Sequence, residues 1–239
     1  MITLCIPYYD DPHRLRGLMM NECLGMFDEI IIVDDGSPTY PAARIVKEFT
    51  EELSYIDIKV WRITEDFGFN AHGARNLAAT VAKGDWLLFL DIDMEPDAGF
   101  VSDLFERVEN APEDEFIVCN LLGDDPGNIF ALRALDFWRA GGYDEELRGF
   151  HMGDKLFRER LDSFCDPVLM DSPLKCNRMG RQVRVDNEIT GTVYPDERTV
   201  VQRSMVHVQP YLDLIEERNQ RPETWDKIPK LNFDYTREL

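Results

Sequence analysis

Two aspartates separated by one residue, Asp91 and Asp93, have the clearest chemical potential in this sequence. They follow the apolar run 86–90 (WLLFL), which predicts a strand buried in the middle of a sheet. Side chains alternate along an extended chain, so both carboxylates point to the same side. Acids at the end of a buried strand need a partner, and a hard divalent cation that also binds substrate phosphates is a natural one. A turn in which an aspartate caps the next helix is the alternative.

A second pair of acids, Asp34 and Asp35, ends another apolar run and is followed by Gly36 and Ser37. Glycine and serine directly after a strand are typical of a tight turn. A carboxylate in this position can also accept hydrogen bonds from a nucleobase N–H or from ribose hydroxyls. From the residues alone, both interpretations stay open.

Alternating patterns across the first half of the chain predict how these acids are positioned. Strands are predicted at 2–7, 29–33, 56–61 and 85–90, and helices at 12–26, 41–53 and 70–82. This order predicts an α/β fold, a Rossmann-like, doubly wound and mostly parallel mixed sheet with helices on both faces. Ligands of such sheets bind at the carboxyl ends of the strands, where the polar clusters 7–10, 34–37 and 91–93 all fall.

The second half is less regular. We predict strands within 113–120 and 128–132 and helices at 135–140, 154–161 and 209–218. Residues 162 to about 205 are expected to form loops and short strands, and the polar tail up to Leu239 has no clear pattern.

Composition excludes several classes of protein. With 26 basic and 46 acidic residues, the net charge of −20 argues against a general nucleic-acid binder. No apolar run approaches the ~20 residues of a membrane helix, and the N-terminal residues show no features of a signal peptide. Five cysteines without a CxxC pair argue against a zinc site and a disulfide framework. We therefore expect a cytoplasmic protein without stable membrane insertion.

Five motifs, in this order, resemble those of family 2 glycosyltransferases, which have the GT-A fold. They are 7–9 (PYY), 33–37 (VDDGS), 73–76 (GARN), 88–93 (LFLDID) and 141–145 (GGYDE). The resemblance covers about residues 1–165. It implies a single GT-A domain over 1–239, with a nucleotide-sugar donor half (1–110), an acceptor and catalytic half (111–208) and a C-terminal tail or helix (209–239).

The resemblance further implies an inverting, metal-dependent glycosyltransferase. Such an enzyme moves a sugar from a nucleotide-diphosphate sugar, here a UDP-sugar first of all, to an acceptor hydroxyl. The implied donor contacts are Pro7, Tyr8, Tyr9 and Asp34 at the base, Asp35 at the ribose, Arg75 and Asn76 facing the donor, and Asp91 near ribose or metal. Asp93, with Asp91, would ligate Mn²⁺ or Mg²⁺, which neutralises charge on the leaving diphosphate.

The catalytic carboxylate of the family follows the Gly-Gly stretch, commonly in the order Gly-Trp-Gly-Gly-Glu-Asp. Residues 149–154 read GFHMGD here, so Asp154 matches the final aspartate and is the expected general base. A helix cap is the alternative role. Gly153 stands where the family usually has a glutamate that helps to bind the acceptor, and His151 is a candidate substitute.

Three further features concern the metal and the substrates. His207 is a candidate metal ligand, with a buried structural histidine as the alternative, and His72 is a candidate phosphate contact. Residues 172–184 carry four basic residues and no acid, which suits either a solvated loop or a loop that closes over an anion. A glycan, a lipid-linked acceptor or a modified nucleic acid would each be compatible.

Two alternatives to a glycosyltransferase are a nucleotidyltransferase that makes a nucleotide-sugar and a non-catalytic module that binds nucleotide-sugars or glycans. A nucleotidyltransferase of this architecture carries a Gly-rich basic loop after the first strand, whereas residues 7–12 read PYYDDP. The acids at positions 34, 93 and 154 argue against a non-catalytic module.

Overall fold

A computed structural model describes residues 1–68, 70–119, 129–147, 153–176, 208–227 and 230–239. The strands are β1 Ile2–Tyr8, β2 Glu29–Asp34, β3 Ile58–Ile63, β4 Trp86–Phe89, β5 Met94–Glu95, β6 Glu115–Val118, β7 Phe130–Arg133, β8 Asp166–Leu169, β9 Lys175–Cys176 and β10 Tyr235–Arg237. The helices are α1 Pro12–Met19, α2 Ala42–Val46, α3 Ala71–Val81, α4 Ala98–Asn110, α5 Ala134–Arg139, α6 Gly153–Leu161 and α7 Val208–Gln220. Short 3₁₀ turns lie at Glu22–Met26, Lys47–Phe49, Glu145–Leu147 and Pro222–Lys227.

The main sheet has eight strands in the order β10-β3-β2-β1-β4-β7-β6-β8. β7 and β10 run antiparallel to their neighbours, and the other pairings are parallel. β5 and β9 form a separate antiparallel pair. The predicted mixed, mostly parallel and doubly wound sheet is confirmed.

The apolar runs of the central strands supply both faces of this sheet. In β1, Leu4 and Ile6 join a core cluster with α1, α2 and α4, whereas Cys5 joins a cluster with α3, α5 and α6. Because helices cover both faces, every residue of β2 is buried, and the strand reads as a continuous apolar run rather than an alternating one. The helices on both faces are confirmed.

Element boundaries differ from the sequence prediction where polar side chains end a helix early. The helix predicted over 12–26 ends at Met19, because Asn21 starts a separate turn and accepts a hydrogen bond from Cys23 N. Sequence reasoning missed α4, although Asp97 caps it by accepting from Phe100 N. It also missed β5 and β10, whereas β8 and β9 lie in the segment where short strands among loops were expected.

The C-terminal segment returns to the edge of the sheet formed by β3. β10 pairs with β3, and Thr64 donates from both N and Oγ1 to Asp234 O, at 2.9 and 2.6 Å. The Phe233 ring packs against Phe67 with centroids 6.4 Å apart. The last residues of the chain therefore support the loop that leads into α3.

Two expectations from composition concern membranes and thiols. In the part of the chain that the structure describes, no helix has the length and apolar character needed to cross a bilayer. Cys5, Cys23, Cys119 and Cys165 are free thiols.

The amino-terminal edge of the sheet is held by a buried carboxylate, Glu29. Its oxygens accept from Thr3 Oγ1 (2.7 Å) and Lys83 N (2.7 Å), and it pairs with Lys59 Nζ at short range. Burial by itself would raise the pKa of Glu29, but the hydrogen bonds from Lys59, Lys83 and Thr3 outweigh it and the pKa is lowered. The charged form is thus the one that stabilises the fold.

We expect Glu29→Gln to lower the free energy of unfolding at pH 7 by about 2 kcal/mol, because Lys59 loses a buried charged partner. The native pKa of Glu29 is depressed, so its contribution is complete above the unfolded value of about 4.3 and is lost as the pH falls through the native pKa. Urea unfolding of both proteins from pH 7 to pH 3 measures this difference. Glu48→Gln, which breaks the exposed pair with Arg16, is the control and should change little. A difference that grows on acidification would contradict the prediction.

Candidate active site

The carboxyl ends of β2, β1 and β4 lie side by side, because these strands are neighbours in the sheet. Tyr8 stands opposite Asp34, and Asp35 N donates to Tyr8 O at 2.8 Å. Leu90 N donates to Cys5 O at 3.0 Å, which brings the segment after β4 to the same edge. The three polar clusters that sequence analysis placed at one edge do share that edge.

The side chain of Asp34 binds backbone N–H groups of the turn that follows β2. Its Oδ1 accepts from Ser37 N and its Oδ2 from Ala42 N, both at 2.7 Å. The side chain is fully buried, and burial raises its pKa against these hydrogen bonds. Asp34 was expected to contact the nucleobase, but in this arrangement it holds the turn and the start of α2.

Asp35 differs from its neighbour. One oxygen, Oδ2, accepts from Asn70 N at 2.8 Å, whereas the buried Oδ1 has no hydrogen-bond partner among the described residues. Burial raises the pKa of Asp35 well above its usual range, and the hydrogen bond from Asn70 opposes that effect only in part. A buried carboxyl oxygen without a partner is costly, and a ligand that donates a hydrogen bond would relieve the cost.

The two tyrosines after Pro7 have different surroundings. Tyr8 is buried in the core and donates from its hydroxyl to Tyr40 O at 2.7 Å. Tyr9 is partly exposed, and its hydroxyl donates to Asp66 Oδ1 at 3.1 Å. Of this predicted base-lining pair, Tyr9 stays at the edge of the site, whereas the side chain of Tyr8 belongs to the core.

Arg75 links Asp91, after β4, to Asp154, at the start of α6. Its Nη2 donates to Asp91 Oδ1 at 2.7 Å, and its Nη1 donates to Asp154 Oδ1 at 2.8 Å. The guanidinium also lies over the Tyr143 ring, 5.2 Å from the centroid. Burial favours its neutral form, but the carboxylates of Asp154 and Asp91 outweigh this and raise the pKa of Arg75. It is therefore a permanent buried cation between the two acids.

A column of aromatic rings lies beneath this ion pair. His72 stacks on Tyr143 with centroids 5.4 Å apart, Tyr143 on Phe157 at 4.6 Å, and Phe157 on Phe130 at 5.6 Å. The ring planes of successive members differ by only 13–14°. Because its members come from α3, the loop before the Glu145 turn, α6 and β7, the column fixes these elements against one another.

Asn76, expected to face the donor, is instead a buried support for the loop 141–147. Its Nδ2 donates to Tyr143 O (2.9 Å) and Glu145 Oε1 (2.8 Å), and its Oδ1 accepts from Tyr143 N (2.8 Å). Both polar atoms are thus used within the protein. Asn76 positions Tyr143, and through it the surface on which Arg75 rests.

The same loop also anchors the C-terminal segment. Asp144 Oδ2 accepts from Arg218 Nε at 3.0 Å, and Glu145 accepts from Leu231 N (2.9 Å) and Asn232 N (3.2 Å). The GGYDE motif therefore stabilises the fold more than it lines the site. Its residue types, taken from the sequence alone, did not indicate this role.

Asp91 and Asp93 fit a divalent cation in part. Both side chains are partly exposed, and carboxylate oxygens are the ligands that Mg²⁺ and Mn²⁺ prefer. Over the described ranges, no three His, Cys, Asp or Glu side chains come together as a ligand set. Among the described residues a metal ion at these two acids would have no third protein ligand, and phosphate oxygens of a substrate are suitable further ligands.

Arg14 is a site residue that sequence reasoning missed. Its side chain is only 3% exposed, with Nη1 3.1 Å from Asp11 Oδ2 and Nη2 3.9 Å from Asp93 Oδ2. An arginine near the start of a helix usually faces solvent, so its burial could not be predicted from the sequence. The D-x-D acids therefore lie beside two buried cations, Arg14 and Arg75.

Other predicted features lie partly or wholly outside the described residues. His207, His151 and residues 177–184 of the basic segment are among them. The described cation of that segment, Lys175, pairs with Asp97 at 3.0 Å. Since β9 pairs with β5, this part of the chain runs next to Met94, directly after Asp93.

The sequence matches proteins of one enzyme class. The model of "Glycosyl transferase family 2" matches residues 3–167. An uncharacterised glycosyltransferase of Haemophilus influenzae is 25% identical over 226 residues, which span 80% of this chain and 73% of that protein. The O-antigen biosynthesis protein RfbC of Myxococcus xanthus is 29% identical over 125 residues, 51% of this chain and 9% of that protein.

Solved structures share the fold. S. aureus TarS 1-349 superposes with a TM-score of 0.62 at 15% identity, over 77% of this chain and 65% of that one. Another TarS structure holds UDP-GlcNAc, with a TM-score of 0.59 at 17% identity over 73% of this chain and 58% of that one. The mannosyltransferase PcManGT of Pyrobaculum calidifontis, bound to GDP-Man and Mn²⁺, gives 0.61 at 17% identity, over 78% and 60%. This chain thus spans less than two thirds of either solved relative.

The family match covers more than half of the chain, and it agrees with the sheet and with the acids at its carboxyl edge. The chain belongs to glycosyl transferase family 2 and is a glycosyltransferase with the GT-A fold.

Proposed function

We propose that this glycosyltransferase is an inverting, metal-dependent enzyme that moves a sugar from a UDP-sugar to an acceptor hydroxyl, with Asp154 as general base. The observation that carries the proposal is the ion-pair chain from Asp91 through Arg75 to Asp154. It ties the D-x-D acids to the candidate base across a buried guanidinium, so that donor site and base are held in one geometry.

The proposed donor site lies at the carboxyl edge of β2, β1 and β4. Tyr9 lines the nucleobase beside Pro7, and we now assign the base contact to Asp35, because its buried Oδ1 has no hydrogen-bond partner among the described residues. The binding of UDP-GlcNAc by TarS and of GDP-Man by PcManGT supports a nucleotide-diphosphate sugar as the donor. UDP is the nucleotide that we place first.

Asp93, with Asp91, would hold the metal ion. The Mn²⁺ in the PcManGT structure and the hard oxygen donors of the two aspartates support this assignment. When bound, Mn²⁺ or Mg²⁺ would supply positive charge next to the diphosphate as it leaves. Arg75 adds a fixed cation at the same edge and keeps Asp91 oriented.

Asp154 would take the proton from the acceptor hydroxyl while that oxygen attacks the anomeric carbon. The new bond joins the acceptor oxygen to the sugar, and the bond from the sugar to the diphosphate breaks with its electron pair on the leaving nucleotide. Attack from the side opposite the diphosphate inverts the configuration. The hydrogen bond from Arg75 occupies Asp154 Oδ1, which leaves Oδ2 to accept the proton.

The acceptor is a proposal at the level of chemical class. Among a glycan, a lipid-linked sugar and a modified nucleic acid, the similarity to an O-antigen biosynthesis protein supports a glycan hydroxyl. The net charge of −20 also disfavours a polyanionic acceptor such as nucleic acid.

The donor and the metal are tested together by thermal unfolding with UDP, GDP, dTDP, CDP or ADP, each with Mn²⁺ or with EDTA. We expect UDP with Mn²⁺ to raise the midpoint by about 5–10 °C at 100 times its Kd, because a ligand then adds about 2.7 kcal/mol. The shift should disappear with EDTA and in Asp93→Ala. Asp85→Ala, an exposed aspartate before β4, should keep it. A shift confined to another nucleotide would overturn the UDP assignment, and one that persists in EDTA would overturn the metal.

We expect Asp154→Asn to lower transfer by a factor of about 10²–10⁴, because the amide cannot accept the proton of the acceptor hydroxyl. UDP binding should be retained, since asparagine can still accept from Arg75. Transfer is followed as UDP released from UDP-GlcNAc, and binding by calorimetry. Asp162→Asn, at the other end of α6 and paired with Arg158, is the matched control with wild-type turnover. Unchanged turnover in Asp154→Asn would refute the assignment of the base.

The neighbouring acids Asp34 and Asp35 should respond differently to the same substitution. Asp34→Asn loses one of two oxygens that accept backbone N–H groups, so it should lower the free energy of unfolding by about 1–3 kcal/mol. Asp35→Asn should weaken UDP binding up to about tenfold, because its NH₂ group would take the place of Oδ1, the oxygen proposed to accept from the base. Calorimetry and urea unfolding separate the two effects. Full UDP affinity in Asp35→Asn would show that Asp35 does not contact the base.

A further inference from the structure

Gly153, the first residue of α6, has no space for a side chain. A Cβ atom at this position would lie 2.3 Å from both Cε1 and Nε2 of His72, far inside van der Waals contact. Glycine is tolerated at the start of a helix, but a helix start does not require it. The requirement for glycine comes from the imidazole ring that occupies the place of the side chain.

The His72 ring is packed on its other side and cannot move away from position 153. The residue is 1% exposed, lies in the first turn of α3, and stacks on Tyr143 at 5.4 Å with nearly parallel planes. Tyr143 is itself fixed by the stack on Phe157 and by the hydrogen bonds between its backbone and Asn76. The contact between His72 and Gly153 is thus a contact between two rigid elements.

Helix α3 contacts the first turn of α6 at two points. His72 abuts Gly153, and Arg75, three residues later on the same face of α3, donates to Asp154. The ring limits how closely the two helices approach, while the ion pair draws them together. The steric contact at Gly153 and the ion pair at Asp154, its neighbour in sequence, together fix the position of the Asp154 carboxylate.

We propose that His72 is a positioning residue for the general base. Its ring sets the distance between α3 and the first turn of α6, and Gly153 is the complementary residue that makes this approach possible. The inference rests on the proposed role of Asp154. It also explains why this chain lacks a glutamate before the base, since no side chain fits beside the His72 ring.

A double-mutant cycle over His72→Ala and Gly153→Ala tests the coupling, with UDP release from UDP-GlcNAc, UDP affinity and unfolding midpoint measured for all four proteins. Gly153→Ala should lower kcat about hundredfold, as expected for a catalytic group displaced by about 1 Å, and should leave UDP affinity unchanged. In the His72→Ala background the same substitution should cause no further loss of kcat. Gly17→Ala, where a Cβ atom meets no other atom within 4 Å, is the control for a glycine replaced in a helix.

The unfolding midpoints of the four proteins measure the same coupling independently of turnover. Gly153→Ala should lower the midpoint in the wild-type background and change it little in the His72→Ala background, where no imidazole ring occupies the place of the added methyl group. If Gly153→Ala by itself does not fold, the comparison between His72→Ala and the double variant decides. Equal losses in both backgrounds, or loss of UDP affinity along with kcat, would overturn the proposal.

Failure of the proposed base has a different signature. Wild-type turnover in Asp154→Asn would show that the contact between His72 and Gly153 does not position a general base. The coupling between positions 72 and 153 in the unfolding midpoints would still be observed. If the effects of His72→Ala and Gly153→Ala on kcat and on the unfolding midpoint are additive while Asp154→Asn is inactive, the positioning role of His72 is refuted and the role of Asp154 as general base is retained.

Discussion

The site depends on one buried cation, the guanidinium of Arg75 between Asp91 and Asp154. Two carboxylates from distant parts of the chain share this donor, so neither can move without leaving part of a buried charge unpaired, which is costly. The aromatic column under Tyr143 supports the guanidinium, and Asn76 supports the loop that carries Tyr143. Much of the local structure thus serves to hold one ion-pair chain in place.

This charge arrangement also bears on substrate binding in a very acidic protein. A net charge of −20 repels an anion such as a nucleoside diphosphate, and three aspartates, Asp35, Asp91 and Asp93, lie at the edge where we place it. Arg75 and Arg14 are buried beside two of those acids and offset their field locally. A divalent cation at Asp93 would complete the neutralisation. The site is therefore less negative than the net charge of the chain suggests.

The sequence was sufficient to predict the central strands of the sheet and the edge at which the acids gather, because apolar runs and turn residues specify strands locally. It could not tell which polar residues face the ligand. Asp34, Tyr8 and Asn76 belong to motifs typical of the family, but their side chains bind the backbone of their own protein. Arg14 and His72 have important contacts with residues remote in sequence. A motif indicates where a residue lies, whereas its partner is decided by tertiary packing.

The pairing of β10 with β3 has a consequence for the order of folding. Thr64 and Asp234 are 170 residues apart in the chain, so their contact closes a very long loop and is entropically costly to form early. During synthesis, β3 is an open edge strand until residues 235–237 have left the ribosome, and an open edge is a template for aggregation. The segment that supports the loop before α3 is thus made long after the strand that it covers. A nascent chain would depend on chaperones for this edge more than for the central strands.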